Sequence, residues 1–144
     1  MSFKAEVDAW ITETEQRLVR VARSAIGDLV NEAQTSVGKG GKMPVDTGFL
    51  RASGLSNLNS LPAGPSQKQL TTPLSYPSPD DYTTQGKVAV DLARMTLNDT
   101  FYFGWTAQYA NAMEVRYGFV GSAVQNWQSH VTKRAEELMR GSGK

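Results

Sequence analysis

The chain has 144 residues, enough for one domain with a single hydrophobic core. Fifteen Lys and Arg against fourteen Asp and Glu leave a formal charge of +1, which supplies neither a basic stripe for nucleic acid nor an acidic tail. With no Cys and one His, disulfides, thiolate nucleophiles, Cys-ligated zinc and paired-histidine catalysis are excluded.

The charge is also even along the chain. Residues 1–42 carry six positive and six negative side chains, 43–84 carry two and three, and 85–144 carry seven and five. No run of about 18 apolar residues exists to span a membrane, and Met1-Ser2-Phe3-Lys4-Ala5-Glu6 lacks the apolar stretch of a signal peptide. The expectation is a soluble protein of a reducing compartment, with a composition that leans away from an enzyme and no cofactor. All six prolines fall between 44 and 79, leaving both ends free for long helices.

Residues 3–37 read as a helix. Phe3, Val7, Trp10/Ile11, Thr14, Leu18, Val21, Ala25, Leu29 and Ala33 recur at three- and four-residue steps, with charges of alternating sign on the other face. Gly38-Lys39-Gly40-Gly41 supplies a stop. Thirty-five residues at this rise give roughly 50 Å, against a radius of gyration of about 15 Å for a compact domain of this size. Such a helix overhangs its own domain unless it breaks at Gly27, and an overhanging amphipathic helix requires another chain to cover it.

Residues 45–53 predict a short helix, with Asp46 as its N-cap and Phe49, Leu50 and Ala52 packing inward. Residues 54–84 read as an extended Pro-, Ser- and Thr-rich loop carrying only Lys68, Asp80 and Asp81 as charges, suited to reaching a neighbouring protein. Residues 86–107 read as a β-hairpin. Val88, Val90 and Leu92 alternate, Asn98-Asp99 offers a turn, Phe101, Phe103 and Trp105 alternate again, and a bulge is expected between Leu92 and Met95. Residues 119–140 predict a second amphipathic helix through Val120, Val124, Trp127, Val131, Ala135 and Leu138. The order implies an α+β domain, with a long N-terminal and a C-terminal helix packed on a small antiparallel sheet.

Candidate chemistry is sparse. Asp46-Thr47-Gly48 is the aspartic-protease triplet, which would make the chain a dimeric protease using Asp46; that chemistry needs the triplet to end an apolar strand in a β-rich chain. Here Gly40-Gly41-Lys42-Met43-Pro44 precedes it and Phe49-Leu50-Arg51 follows, so a helix cap explains the same residues. Gly38-Lys39-Gly40-Gly41-Lys42 is a poor phosphate loop: it follows a helix, and Met43 stands where Ser or Thr is required. A flexible cap and linker accounts for it better. His130 borders an apolar stripe with no nucleophile elbow in the chain. The Phe101-Phe103-Trp105 face lacks the surrounding cations of a base-stacking platform and reads as core.

The segment Gly40-Gly41-Lys42-Met43-Pro44-Val45-Asp46-Thr47-Gly48-Phe49-Leu50-Arg51-Ala52-Ser53 resembles the head–tail joining, or tail-completion, proteins of long-tailed bacteriophages. That family places Val-Asp-Thr-Gly-x-Leu-Arg-x-Ser between an N-terminal helix and a β region. Tyr109-Ala110 and Glu114 are similar to its second motif, although Val115-Arg116-Tyr117 intervene before Gly118. Strong identity is confined to about residues 40–53 and 104–118.

The resemblance implies a non-enzymatic virion structural protein of the neck, made in the host cytoplasm. It would act as a homo-oligomeric ring, of six subunits or alternatively twelve, among other neck and tail proteins. Packaged DNA would pass nearby without sequence-specific binding, and no membrane is involved. A tail terminator or minor tail component is the neighbouring alternative. In the family pattern Asp46, Thr47 and Gly48 set a turn, Leu50 anchors the short helix in the core and Arg51 points outward. Trp10, Arg17, Tyr109, Glu114 and Arg116 are the candidate interface residues, with Glu114 or Arg116 open to an inter-subunit ion pair.

Overall fold

The apolar period of the N-terminal third winds into one helix, α1 (Phe3–Gln34), in the computed structural model of the chain, which describes residues 3–45, 49–62 and 84–142. Its 32 residues span roughly 48 Å. Gly27 does not break it. That position lies against Leu92 of the helix crossing there, where even a methyl group would fit at ordinary contact distance.

α1 ends at Gln34, three residues before the predicted stop, because the chain turns back on itself. Met43 donates its N–H to the Thr35 carbonyl at 3.0 Å, and Val37 donates to the Met43 carbonyl at 3.0 Å. A single 3-10 turn, Val37–Lys39, lies between, closed by Gly40 at φ 89°. Gly41 passes so close to the Thr35 carbonyl that any side chain there would overlap it. The glycine-rich segment, read from sequence as a flexible linker, is therefore a hydrogen-bonded turn that seats Met43 in the core with no exposed surface.

A one-turn helix, α2 (Phe49–Ala52), leads into strand β1 (Gly54–Leu58). After the undescribed stretch come α3 (Thr84–Arg94), β2 (Phe101–Trp105), α4 (Ala110–Tyr117), α5 (Phe119–Gln125) and α6 (Trp127–Ser142). β1 and β2 pair antiparallel from Gly54 opposite Trp105 to Leu58 opposite Phe101. The fold is α+β, with the long N-terminal helix and the C-terminal helical segment packed against this two-stranded sheet.

Three predicted elements are corrected. The hairpin over 86–107 is not formed: its first arm is α3, and β2 pairs instead with β1. Val88 and Asp91 share one face of α3 and are buried, as is Met95 just past its end, while Val90 is exposed, so the alternation of Val88, Val90 and Leu92 is one reading of a segment that also satisfies helical spacing. No bulge lies between Leu92 and Met95, where α3 simply ends. The loop over 54–84 begins with five residues of strand; the remainder of that reading, residues 63–83, lies outside the described residues.

The C-terminal helix of 119–140 is two helices, α5 and α6, divided at Asn126, whose side-chain amide donates to Glu32 Oε1 at 2.7 Å. The division splits the predicted stripe. Val120 packs on the core, Val124 and Trp127 stay exposed, and Val131, Ala135 and Leu138 remain partly buried. Met43, Leu50, Ala107 and Phe119 form the centre of the core, with Trp105, Tyr109 and Met113 packed around them. Trp105 meets both Phe103 and Phe119 edge to face, each with ring centroids 4.9 Å apart, a geometry that aligns ring edges with ring faces.

Candidate functional site

The resemblance motif is built into the centre of the molecule. Gln34, fully buried at the end of α1, donates Nε2 to the Arg51 carbonyl at 3.0 Å and accepts Trp105 Nε1–H at 2.8 Å. One amide thus ties α1, α2 and β2 together and satisfies two buried polar groups, each of which would be costly unpaired. Ser53 adds a second tie: its hydroxyl donates to the Leu50 carbonyl at 2.7 Å and accepts the Ala107 N–H at 3.1 Å. Leu50 is core, as the resemblance implies. Arg51 is not outward: it is only 7% exposed, because the Gln34 bond to its carbonyl draws α2 under the end of α1 and β1 starts two residues later. Asp46, Thr47 and Gly48, with the cap and the protease triplet read there, lie outside the described residues.

Sequence reasoning did not single out Gln34, whose partners lie 17 and 71 residues away, or Asp91, for which a weak local signal existed. Asp91 is buried on α3 and accepts from Ser56 Oγ at 2.6 Å and from Lys87 Nζ at 2.8 Å. Burial pushes its carboxyl up, but the bonds from Lys87 and Ser56 outweigh burial and hold it below the usual carboxylate range. The Lys87-to-Asp91 spacing of four is the helical signal that the alternating valines obscured.

The interface candidates divide. Glu114 is used within the chain: its carboxylate accepts the backbone N–H groups of Val120 at 2.7 Å and Gly121 at 3.0 Å, capping α5 where the first turn has no helical partners. The chain enters that cap through Gly118 at φ 67°. Tyr109 is half-buried beside the core. Arg116 is exposed, its guanidinium 5.4 Å from the Tyr117 ring. Arg17 is exposed and pairs with Glu13 one turn away at 2.8 Å. Trp10 is 66% exposed. His130 is a boundary residue as expected, 3.4 Å from Glu32 on α1.

Two surfaces then remain for function. The first is the N-terminal half of α1, where Trp10, Ile11 and Leu18 stand exposed as one apolar stripe. The helices and strands that bury Ala25, Val30 and Ala33 do not extend over it. The second is an apolar groove of about 510 Å³ between the C-terminal half of α1, the turn after α3, β2 and the α5–α6 junction. Ile26, Leu29, Phe101 and Phe103 line its floor and walls, and Leu97, Val124 and Trp127 stand exposed at its lip. The Phe101-Phe103-Trp105 face, read as core, faces this groove.

The carboxylate lining the groove, Asp99, accepts from Asn59 Nδ2 at 3.0 Å and from the Thr96 backbone N–H at 2.8 Å, which hold it below the usual range. These bonds fix the turn at one end of the groove. Behind the groove, Arg134 on α6 donates Nε at 2.6 Å and Nη2 at 2.7 Å to Asp28 on α1. This bidentate bond holds Asp28 below the usual carboxylate range and clamps α6 along the opposite side of α1. Among the described residues no group of three His, Cys, Asp or Glu is placed to hold a metal, and no helix is long and apolar enough to cross a membrane.

Comparison with family models, curated proteins and solved structures gives no match for this chain.

Proposed function

We propose that this chain is a non-enzymatic structural subunit of a tailed bacteriophage, joining or completing the tail at the head–tail interface as part of a homo-oligomeric ring. The observation that carries this reading is the N-terminal half of α1, a helix that leaves its domain with Trp10, Ile11 and Leu18 uncovered. A helix in that state is built to be finished by another chain, since apolar side chains at helical spacing gain stability only when removed from water. The second support is the resemblance of residues 40–53, whose Leu50 and Ser53 join α2 to the core and the strands, an architectural use of the motif. The neck is the proposed location, with other neck and tail proteins as partners. The deciding experiment is cryo-EM of particles carrying a tagged copy of the chain, together with the particles made when its gene is interrupted. Density at the neck and accumulation of unjoined heads and tails are the expected results. Normal infectious particles without the chain would overturn the reading.

A further inference from the structure

The two uncovered apolar surfaces cannot satisfy each other within one molecule. The stripe and the groove are laid out along the same unbroken helix, the stripe on Trp10, Ile11 and Leu18 and the groove from Ala22 to Ala33. A rigid helix keeps Trp10 roughly 18 Å from Ala22 along its axis. Among the described residues neither surface covers the other, and contact between them requires a second copy.

We infer that the groove between α1, β2 and the α5–α6 junction is the seat for the N-terminal half of α1 of the next subunit, with Trp10, Ile11 and Leu18 as the inserted side chains. The inference names the contact of the proposed ring and so rests on that reading. Three observations support the fit. In length, Trp10 to Leu18 covers roughly 12 Å of helix, and the wall from Ala22 to Ala33 covers roughly 17 Å. In polarity, an exposed apolar row meets a cleft whose lip presents Val124, 56% exposed, beside Leu97 and Trp127, the arrangement by which grooves take up amphipathic helices. In charge, the first half of α1 carries Glu6, Asp8, Glu13 and Glu15 against Lys4 and Arg17. At the Met95 end of the groove Arg23, which donates Nη2 to the Met95 carbonyl at 2.6 Å, and Arg94 outnumber the lining carboxylate of Asp99, so this end is net positive toward an acidic helix.

The contact uses different patches on the two partners, so it is heterologous. Repeating it gives a closed ring if the rotation closes, and a filament if it does not. A stripe that paired with its own copy would instead give a two-fold dimer with no groove involved.

The absence of cysteine from the chain makes the test clean. Leu18→Cys and Val124→Cys replace exposed side chains, and the two full-length variants are mixed under mild oxidation. A covalent dimer joining position 18 of one chain to position 124 of the other is expected, with little product from either variant alone. In parallel, Leu18→Glu and Val124→Glu, each checked for an unchanged circular dichroism spectrum, are followed by analytical ultracentrifugation. Each alone should associate at least tenfold more weakly than the unmodified chain, and their mixture should recover a one-to-one dimer through the single intact junction.

An 18-to-18 cross-link overturns the inference in favour of stripe-on-stripe pairing. An unmodified chain that stays monomeric up to about 1 mM, the weak limit of specific association, also overturns it. So does a thiol at position 124 that resists maleimide in the monomer, since the groove would then be filled by the chain's own residues. Rings found at the neck without the 18-to-124 cross-link would remove this seat and leave the proposed function standing. Cross-linked rings absent from the particle would do the reverse.

Discussion

From Val21 to Gln34, α1 runs against α3, α5 and α6, which bury Ala25, Val30 and Ala33 and leave the groove open along one side. From Phe3 to Val19 the same helix continues with the same apolar spacing, yet Trp10 and Leu18 are 66% and 53% exposed. The difference lies outside the helix. α6 runs back along α1 from the Asn126–Glu32 bond through the Arg134–Asp28 pair to Leu138 beside Val21, and then ends at Ser142. On another side, the turn after α3 reaches Thr12 and Val19 and forms with them a more polar cleft of about 620 Å³, which leaves Trp10 and Leu18 uncovered. Helical spacing thus decides which side chains line up, and the lengths of the neighbouring elements decide which of them leave water.

The comparison predicts that substitutions in the covered region act on folding and those in the open region act on assembly. The largest effect is expected at Phe119, 1% exposed and packed on Trp105: Phe119→Ala should cost about 3–5 kcal/mol in urea unfolding. A loss below about 1 kcal/mol would show that the covered region is looser than its packing indicates. Next is Asp91→Ala, which leaves the buried Ser56 hydroxyl without its acceptor and should cost about 1–3 kcal/mol.

The Arg134–Asp28 clamp is partly open to solvent, so Asp28→Asn should cost only about 1 kcal/mol at neutral pH. Its pH dependence has a definite sign. The Asp28 carboxyl is held below its ordinary value of 3.8 in the folded chain, so its contribution is present above that value and is lost as pH falls through the lower folded value. Unfolding measured across that acid range should fall less steeply for Asp28→Asn than for the unmodified chain; an unchanged slope would remove the clamp from the account. Smallest is Leu18→Ala, which should change monomer stability by no more than about 0.5 kcal/mol in dilute solution. A cost comparable to that of Asp91→Ala would mean that the open half is covered within the monomer.

Some of this was legible in the residues alone. α1 and the C-terminal helical segment follow from apolar steps of three and four over long windows, the signal least disturbed by tertiary context. The exposure of Trp10 follows from length, since a helix of roughly 48 Å cannot be covered by a domain this small. Leu50 as core and Asn98-Asp99 as a turn were also visible; Asp99 now closes that turn by accepting from Thr96.

The chain order of strands was not legible, for physical reasons that can be named. Gly54-Leu55-Ser56-Asn57-Leu58 has low intrinsic strand preference and becomes a strand because β2 offers a partner edge and Ser56 reaches Asp91. Val88-Ala89-Val90 alternates like a strand but is helical because one face, with Val88 and Asp91, finds burial while Val90 can be left in water. Short apolar runs satisfy both periods, and only a neighbour chooses between them.

The sequence by itself determined the two long amphipathic helical regions, the near-neutral charge and the apolar row that outruns its domain, because these depend on composition and local spacing. Tertiary structure alone decided that β1 pairs with β2 across the intervening α3, that Arg51 turns inward and Glu114 caps α5, and that an open groove forms beside α1. Each of those depends on groups distant in the chain, such as Gln34 with Trp105, whose meeting is fixed by the packing of whole elements and is recorded in no local pattern.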